Sequence, residues 1–422
     1  MEYIKKETPS YNLHMIKTSK FKTTSIEIIF NKVLKKDEIT KLNFLTSIMT
    51  YTTKKYNTKL KFSQKMENLY ASRVYASGYR LGRNVNVDFN MKILNDKYSE
   101  EGLLDQSFEF LKEIIFNPNV TDDMFDEDSF NIIKNDEISQ IERFREDSRR
   151  YASFRVLELT DSNEPFSYNP KGSIEDLEKI TRKNLYEYYK EFIKCKTIDI
   201  FIIGDIDFDK TEKIVKDKFE FTLPKEKEKD PMILWSTHRE KRQEVVESDS
   251  TNQSKLSISC KLENLTKYER DYVLNIYNLI LGGTADSKFF KNIREKYSLC
   301  YYINCGANKL DNLLFISSGI SKDNYSKIMI LIDKEMDDMR KGNFDEDEIE
   351  KAKINYLSNL EEIEDSPNQL IALYYAIDKL GSDEIDKKKE IIKKVTKEDI
   401  IKLANKVFMD TVYLLGGDKK WR

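Results

Sequence analysis

Residues 290–306, FKNIREKYSLCYYINCG, resemble an earlier segment of the same chain, residues 63–78, SQKMENLYASRVYASG. A second pair, IDIFIIGD at 198–205 and TVYLLGGD at 411–418, repeats in the same order. Self-similarity at a separation of about 200 residues indicates two copies of one domain-sized unit. The sequence therefore predicts a duplicated fold.

Strands and helices alternate in both copies. Residues 24–33 and 253–262 have strand character, and residues 301–320 indicate two strands around a turn. Residues 129–160 have the spacing of one long, charged, amphipathic helix. We therefore predict the α+β class, with two homologous domains that are each a mostly antiparallel sheet covered by helices and that face each other across a cleft.

The domain boundaries are predicted from a shift in composition. Residues 223–242 combine proline with dense charge, as linkers do. We expect an N-terminal domain at 1–222, the linker at 223–242 and a C-terminal domain at 243–422.

Composition excludes several classes of protein. The 71 basic and 74 acidic residues are interleaved, which argues against nucleic-acid binding. No apolar run approaches the roughly 20 residues of a membrane span, and the N-terminus lacks the apolar core of a secretion signal. We expect a cytoplasmic protein.

Cysteine and histidine are scarce, which limits metal chemistry. The four cysteines, Cys195, Cys260, Cys300 and Cys305, form no close pair, and we expect reduced thiols. Cys300 and Cys305 as a metal pair is a minor alternative, because no second ligand pair accompanies them. The two histidines, His14 and His238, lie far apart in sequence and are each expected to be exposed or half-buried. An autonomous histidine-based site is therefore not expected.

Three stretches resemble one known family. They are EPFSYNPKGSIEDLEKITRKNLYEYYKEFIKCKTIDIFIIGDID at 164–207, LGGTADSKFFKNIREKYSLCYYINCGA at 281–307, and the C-terminal pair DEIEKAKINYL and VTKEDIIKLANKVF. In this order they resemble the pitrilysin/insulinase family of zinc metallopeptidases, in its processing-peptidase-like bacterial branch, over essentially the whole chain. The resemblance implies two metallopeptidase/LuxS-like domains and a pair of subunits around a peptide-sized chamber.

Active members of this family carry an inverted zinc motif, H-x-x-E-H, on a first-domain helix. The spacing places both histidines on one helical face, and the glutamate between them is the general base. Here Asn43 and Ser47 stand at the histidine positions and Thr46 at the position of the base. Glu137 is the counterpart of the third ligand, and we expect it to be a carboxylate on a helix surface.

These substitutions remove the metal chemistry. Amide and hydroxyl oxygens are weak zinc ligands, and threonine takes up no proton near neutral pH. We predict no zinc site and no cofactor in this chain, with zinc in a partner subunit.

The second half keeps a different element of the family's chemistry. An Arg and a Tyr spaced R-x6-Y are present as Arg294 and Tyr301. The resemblance implies that they bind the substrate backbone and stabilise the oxyanion opposite the zinc. Guanidinium and phenol are donors suited to that role. The structural alternative is an arginine that caps its own helix and a tyrosine in the core.

Seven tyrosines fall in the segments that would line such a chamber. They are Tyr51, Tyr56, Tyr70, Tyr75, Tyr79, Tyr301 and Tyr302. We expect most of them in the core and some in a wall that holds an extended peptide along a sheet edge.

The leading hypothesis is a non-catalytic subunit of a heterodimeric zinc metallopeptidase, which pairs with a zinc-bearing homologous subunit and contributes Arg294 and Tyr301. Its substrate would be a peptide or small unfolded protein. One alternative is a pseudo-peptidase scaffold or peptide-binding module without a role in hydrolysis, in peptide maturation or elongation-factor P modification. Another is a self-sufficient peptidase, against which the two distant histidines argue.

Overall fold

The structure is a computed structural model that describes residues 1–194, 197–222, 232–249 and 253–416. The chain folds as two compact units, residues 1–143 with 169–231, and residues 144–168 with 232–422. Cys195, the first part of the predicted linker at 223–231 and the last residues of the predicted repeat at 417–418 lie outside the described residues.

A six-stranded sheet forms the centre of the first unit. Its strands are β1 Glu2–Glu7, β2 Asn12–Lys17, β3 Thr23–Val33, β4 Arg73–Leu81, β5 Asn84–Leu94 and, after the short hairpin of β6 Val120–Thr121 and β7 Met124–Phe125, β8 Thr197–Gly204. The order across the sheet is β1-β2-β8-β3-β5-β4. Only β2 and β8 pair in parallel, and the other pairs are antiparallel.

The second unit contains a five-stranded sheet. Its strands are β9 Gln243–Glu247, β10 Ser254–Leu262, β11 Cys300–Asn308, β12 Leu313–Ile320 and β13 Val407–Leu415. The order is β11-β12-β10-β13-β9, with β13 and β9 parallel and the other pairs antiparallel.

The two sheets repeat one topology. Reading β4-β5-β3-β8-β2 in the first unit and β11-β12-β10-β13-β9 in the second gives the same order and the same single parallel pair. The predicted α+β class with two homologous, mostly antiparallel domains is confirmed. The repeat also equates β4 with β11, so the segment that carries Arg294 and Tyr301 occupies the outer edge of its sheet.

Helices cover the sheets. In the first unit they are α1 Ile39–Met49, α2 Lys59–Asn68, α3 Leu103–Phe116, α4 Glu127–Glu146, α6 Ile174–Glu178, α7 Arg182–Phe192 and α8 Phe208–Lys218, with the last turn of α4 assigned to the second unit. In the second unit they are α5 Ser148–Thr160, α9 Leu274–Asn278 with π-helical turns on both sides, α10 Tyr325–Lys341, α11 Glu346–Ile363, α12 Pro367–Leu380, α13 Ile385–Lys393 and α14 Lys397–Ala404. None of the helices in the described ranges combines the length and apolar character that a membrane span requires.

Alternation along the central strands explains where each core lies. In β3 the side chains of Ile28 and Phe30 enter the core that α1 and α3 complete with Phe44 and Phe108. The flanking Glu27 and Asn31 point to the opposite face. The first sheet therefore has one apolar face beneath its helices and one more polar face, whereas β13 of the second sheet is packed on both faces.

The predicted helix at 129–160 is two helices. Asp147 has extended backbone angles (φ −73°, ψ 90°), and its side chain accepts hydrogen bonds from the backbone N–H groups of Arg149 and Arg150. A carboxylate that satisfies the free N–H groups of a new helix favours this break. The hydrophobic spacing continues across the break, which is why the sequence pattern did not reveal it.

The break assigns α5 to the second unit. Ala152 and Val156 are buried against Tyr413 and Leu415 of β13. The sequence-based boundary had included 144–168 in the N-terminal domain 1–222, whereas the structure places this segment with the C-terminal unit.

The described part of the predicted linker packs on the second unit. The backbone N–H of Leu234 donates to the carbonyl of Leu310 at 2.7 Å. Arg239 forms an ion pair with the buried Asp410 and donates to the carbonyl of Thr160 at the end of α5 at 3.0 Å. Residues 232–242 therefore do not behave as a free connection.

The burial of His14 differs from what the sequence predicts, whereas the burial of His238 agrees with the prediction. His14 is fully buried; its Nε2 lies 3.2 Å from Asp199 Oδ1, and its Nδ1 lies 2.8 Å from the Tyr3 hydroxyl. Position 14 falls on the interior strand β2, so β-sheet pairing rather than local polarity decides its burial. His238 is half-buried against Phe408, as predicted.

Candidate functional site

The degenerate zinc motif lies on α1, as the sequence predicts. Leu42, Leu45, Ile48 and Met49 are buried and hold the helix on the core. Asn43 and Ser47, one helical turn apart, are half-buried along one side of it. The apolar residues therefore pack α1 on the core, whereas the polar positions between them differ from the zinc motif of active family members.

Asn43 and Thr46 are engaged by main-chain groups. Asn43 Nδ2 donates to the carbonyl of Pro170 at 2.9 Å. Thr46 is 4% exposed, and its hydroxyl donates to the carbonyl of Asn43 at 2.8 Å. Both side chains therefore use a donor in a hydrogen bond to a main-chain carbonyl.

Ser47 contacts the predicted counterpart of the third zinc ligand. Its Oγ donates a 2.6 Å hydrogen bond to Oε1 of Glu137 on α4. The expectation of a surface carboxylate at Glu137 is wrong, because this residue is 3% exposed. Most charged residues around position 137 lie on the outer face of α4, but Glu137 itself lies on the face that packs on α1.

The electrostatics at Glu137 reflect its burial. Burial raises the pKa of the Glu137 carboxyl, opposed by the hydrogen bond from Ser47 and the positive charge of Lys171. Lys171 Nζ itself donates to Gln140 one turn along α4 at 2.9 Å. The carboxyl is therefore a buried acid held by one hydroxyl.

The residues at this site do not fit zinc. Tetrahedral zinc sites in proteins use imidazole, thiolate and carboxylate ligands. Here the set is one amide that donates to Pro170, the hydroxyls of Thr46 and Ser47, and the carboxyl of Glu137. A single carboxyl with hydroxyls is an insufficient donor set for zinc.

Arg294 lies at the surface of the second unit. It belongs to the short helical segment Phe290–Glu295, and its guanidinium carbon lies 4.6 Å from the centroid of the Phe290 ring. Within the described ranges its side chain makes no hydrogen bond or ion pair. The alternative in which it caps its own helix is therefore not observed.

Tyr301 is also directed outward. It is 75% exposed on β11, and its hydroxyl has no hydrogen-bond partner in the part of the chain that the structure describes. A bulge between β11 and β12 falls between Cys300 and Tyr302, and such bulges re-aim side chains. The core alternative for Tyr301 is therefore wrong. The role of Arg294 and Tyr301 in substrate binding stays a prediction.

Most of the tyrosines expected in the core are at the surface. Tyr70, Tyr75, Tyr79 and Tyr301 are 40% to 75% exposed, whereas Tyr51 and Tyr56 pack against the first core. The exposed group lies beside or on the outermost strands β4 and β11, where one face has no covering helix. Edge position decides this exposure, and the sequence pattern alone did not show which strands are at the edges.

The sequence did not reveal a groove in the second unit. It has a volume of about 350 Å³ between α5 and the sheet, with an apolar part at Val156, Leu157 and Phe315 and a polar part at Arg149, Asn304 and Ser317. The guanidinium of Arg149 lies 4.5 Å from the ring centroid of Tyr302, the neighbour of Tyr301. The groove reaches β11 at Gly306, where an added Cβ would meet no atom within 4 Å. The break at Asp147 is what brings Arg149 here.

A carboxyl pair lies on the polar face of the first sheet. Glu27 of β3 and Asp88 of β5 are both buried, and Asp88 accepts a 2.8 Å hydrogen bond from Ser77 Oγ. Burial, followed by the charge of Asp88, raises the pKa of Glu27 to about 8. Burial likewise raises the pKa of Asp88, against the hydrogen bonds from Ser77 and Asn90. Glu27 is therefore largely protonated at neutral pH.

The remaining cysteines show no metal arrangement. Cys260, Cys300 and Cys305 are free thiols in the described chain. Cys305 is buried in the second core, and burial raises its pKa well above the usual range. A thiol in that setting is a packing residue.

Comparisons with known proteins show which proteins this chain resembles. The family model described as the peptidase M16 inactive domain matches residues 179–356. The probable inactive metalloprotease YmfF of Bacillus subtilis is 29% identical over 411 residues, which cover 96% of this chain and 95% of that protein. Each of these descriptions concerns a domain or relative without expected peptidase activity.

Solved structures share the fold. A conserved protein from Enterococcus faecalis has a TM-score of 0.91 at 25% identity and covers all of both chains. The peptidase M16 inactive domain from Pseudomonas fluorescens has a TM-score of 0.80 at 15% identity, covering 99% of both chains, and shows the likeness of fold alone.

The duplicated α+β units define a metallopeptidase-like fold, with Asn43, Thr46 and Ser47 at the positions that the resemblance equates with the zinc motif. Residues 179–356 match the peptidase M16 inactive domain, and over nearly its whole length the chain is similar to a probable inactive metalloprotease, so it resembles the inactive homologues of the pitrilysin/insulinase family. The predicted resemblance is confirmed.

Proposed function

We propose that this chain is the non-catalytic subunit of a heterodimeric zinc metallopeptidase. In this proposal the zinc and the general base belong to a homologous partner, and this chain contributes Arg294 and Tyr301 to the partner's reaction. The single observation that carries the proposal is that both side chains are exposed and make no hydrogen bond or ion pair within the described residues. A residue kept for stability would be packed or paired.

The chemistry of the pair suits a peptide carbonyl that gains negative charge. A guanidinium offers five N–H donors and a phenol one O–H donor. The contact with the Phe290 ring restricts where the Arg294 guanidinium moves without occupying its outward donors. Pre-oriented donors of this kind stabilise an oxyanion more than they stabilise the neutral carbonyl.

The surroundings of Tyr301 suit an extended peptide. β11 is the outermost strand of its sheet, so its free backbone groups can pair with an added strand. The groove between α5 and β11 has room for one apolar side chain of such a peptide, and Arg149 lies at its polar end. We expect peptides with an apolar residue near the cleaved bond to be preferred.

The proposal is tested by mixing the purified chain with a zinc-bearing homologue and measuring peptide cleavage. Arg294→Ala and Tyr301→Phe are each expected to lower kcat/KM of the mixture by about 10²–10³-fold, the loss typical of one oxyanion donor. Lys296→Ala and Tyr297→Phe are matched controls, because both residues are exposed in the same segment, and they should leave the rate unchanged.

Two outcomes would contradict the proposal. If Arg294→Ala leaves the activity of the mixture intact, the pair has no part in hydrolysis. If the mixture cleaves no faster than the partner alone while this chain still binds peptide, the alternative of a peptide-binding module is correct.

A separate substitution tests whether the groove binds part of the substrate. Gly306→Leu directs a side chain into open space and is expected to raise KM for peptides with an apolar residue at the matching position. Gly381→Leu, distant in sequence at the end of α12, controls for a general effect of replacing glycine. An unchanged KM for Gly306→Leu would remove the groove from the substrate path.

A further inference from the structure

Basic side chains converge around Asp271 in the second unit. Lys267 and Arg270 lie one turn and one residue before it, Lys309 lies in the turn after β11, and Lys388 lies on α13. We call Lys267, Arg270, Lys309 and Lys388 the basic cluster. Its members come from three separate parts of the chain.

One carboxylate serves most of the cluster. Lys267 Nζ lies 2.6 Å from Asp271 Oδ2, and Arg270 Nε lies 3.7 Å from Asp271 Oδ1. Lys309 Nζ donates to the main-chain carbonyl of Asp271 at 3.2 Å. Lys388 has no hydrogen-bond or ion-pair partner among the described residues, although it is half-buried. Positive charge therefore exceeds negative charge at this place.

A second carboxylate close to Lys388, that of Asp383, is already engaged. Asp383 lies 2.5 Å from Lys387 Nζ and accepts a hydrogen bond from the Tyr272 hydroxyl. Both bonds lower the pKa of Asp383 and keep it ionised, with Lys387 first. Asp383 is therefore paired first with Lys387, and its charge also acts on Lys388 and Lys267 of the cluster without a direct ion pair to either.

Arg270 gives the second observation that points to a ligand. It is only 9% exposed, and its guanidinium has no hydrogen-bond acceptor in the described chain, since 3.7 Å to Asp271 is too long for a hydrogen bond. On another side the exposed Trp235 ring lies 6.0 Å from its Cζ. The guanidinium donors are therefore not used within the described residues and remain available to an acceptor from outside the chain.

The lowered pKa values of Lys309 and Lys388 reflect their burial and the excess of positive charge around them. Burial, opposed by the charge of Asp271 and reinforced by the charges of Lys388, Lys267 and Arg270, lowers the pKa of Lys309 to about 8. Burial also lowers the pKa of Lys388. A bound anion would relieve this repulsion and restore both amines to their charged form.

We propose that the basic cluster binds the phosphate group of a small molecule. A phosphate carries close to two negative charges near neutral pH, which matches an excess of more than one positive charge better than a single carboxylate does. The planar fork of an arginine suits two phosphate oxygens, and lysines add point charges around it. Trp235 beside Arg270 provides an aromatic surface for a group attached to the phosphate. This site is independent of Arg294 and Tyr301.

The test is isothermal titration of the whole chain with inorganic phosphate, with adenosine monophosphate and with acetate. We expect saturable, stoichiometric binding of one or both phosphate compounds and none of acetate. Tighter binding of adenosine monophosphate would identify a phosphate ester as the ligand, and tighter binding of inorganic phosphate the free ion. Equal binding of acetate, or no saturable binding of either phosphate compound, would overturn the proposal.

Variants locate the site. Arg270→Gln and Lys388→Gln are each expected to weaken phosphate binding by about 10–100-fold, the loss that follows from removing a charged hydrogen bond. Lys387→Gln is the matched control, since Lys387 pairs with Asp383 on the same helix, and should bind normally. Unchanged affinity in both cluster variants would place any binding elsewhere.

A measurement on the unaltered chain keeps the test valid if Arg270→Gln does not fold. Lys309 is half-neutral near pH 8 and should react readily with acetic anhydride there. Saturating phosphate is expected to slow the labelling of Lys309 several-fold relative to exposed lysines, as its pKa rises. Labelling that phosphate leaves unchanged would count against the site.

Discussion

Ser47 Oγ donates a 2.6 Å hydrogen bond to Glu137 Oε1, so two positions that the family resemblance equates with metal ligands contact each other directly. The bond joins α1 to α4 across 90 residues of sequence. A hydroxyl and a buried carboxyl thus link the two helices at this point.

Ser47→Ala should destabilise the chain by about 1–3 kcal/mol, because the buried carboxyl of Glu137 loses its hydroxyl donor. The cost should grow with pH. The raised pKa of Glu137 means that its contribution to stability is complete below the unfolded value and falls as pH rises through the folded value. Urea unfolding at several pH values measures this. Glu137→Gln should remove the pH-dependent part, and a cost that is the same at every pH in both variants would show that Glu137 does not titrate as described.

Restoring the motif should restore metal binding. In the triple variant Asn43→His, Thr46→Glu and Ser47→His, two imidazoles on one face of α1 meet the Glu137 carboxyl, which already contacts position 47. We expect this variant to retain stoichiometric zinc after dialysis, measured by atomic absorption, and the natural chain to retain none. The variant with Glu137→Gln added should bind zinc more weakly. Zinc in the natural chain would contradict the assignment of a lost site.

Gly172→Ala should disturb the loop that holds Asn43. Gly172 has φ +74°, and an added Cβ would lie 2.1 Å from Thr40 Oγ1 on α1. We expect a loss of more than the roughly 1–3 kcal/mol that left-handed strain alone costs. Gly381→Ala is the matched control, because Gly381 has φ +60° and an added Cβ there meets nothing within 4 Å. Equal losses in thermal or urea unfolding would mean that the Thr40 contact relaxes without cost.

Glu27 should make stability depend on pH. With its folded pKa raised to about 8, the native state binds a proton that the unfolded state, with a pKa of about 4.3, releases. Its contribution to stability is therefore complete below the unfolded pKa and is lost as pH rises from there to about 8. Glu27→Gln should be more stable than the natural chain at pH 8 and nearly equal at pH 4. Exposed Glu187→Gln is the control, and parallel curves for the Glu27→Gln variant and the natural chain would count against a protonated Glu27.

Arg294→Ala and Tyr301→Phe should leave stability within about 0.5 kcal/mol, because surface side chains without partners contribute little. Unfolding by urea measures this. Combined with the loss of activity expected in the heterodimer, unchanged stability would separate a functional role from a structural one. A large loss of stability would instead mean that the pair supports the fold.

Several features followed from residue type and local spacing. The repeat of 63–78 at 290–306 predicted equivalent strands, and β4 and β11 do occupy equivalent edges. The weak donor set at Asn43, Thr46 and Ser47 was evident without coordinates, because ligand chemistry belongs to the residue and a helix fixes which positions share a face.

Other features required the fold. Glu137 was expected at the surface and is buried, since which side of an amphipathic helix packs depends on its neighbours. The break at Asp147 is a local capping event, yet only the packing of Ala152 and Val156 on β13 shows that the following helix belongs to the second unit.

The sequence by itself determined the duplicated α+β fold, the resemblance to the pitrilysin/insulinase family and the weak donor set at Asn43, Thr46 and Ser47, because these depend on hydrophobic periodicity and on the chemistry of single residues. Tertiary structure alone decided that Ser47 meets Glu137, that Arg294 and Tyr301 are exposed, and that Lys267, Arg270, Lys309 and Lys388 surround one aspartate. These relationships join residues that lie far apart in the chain, and burial and electrostatic coupling arise only when packing brings such residues together.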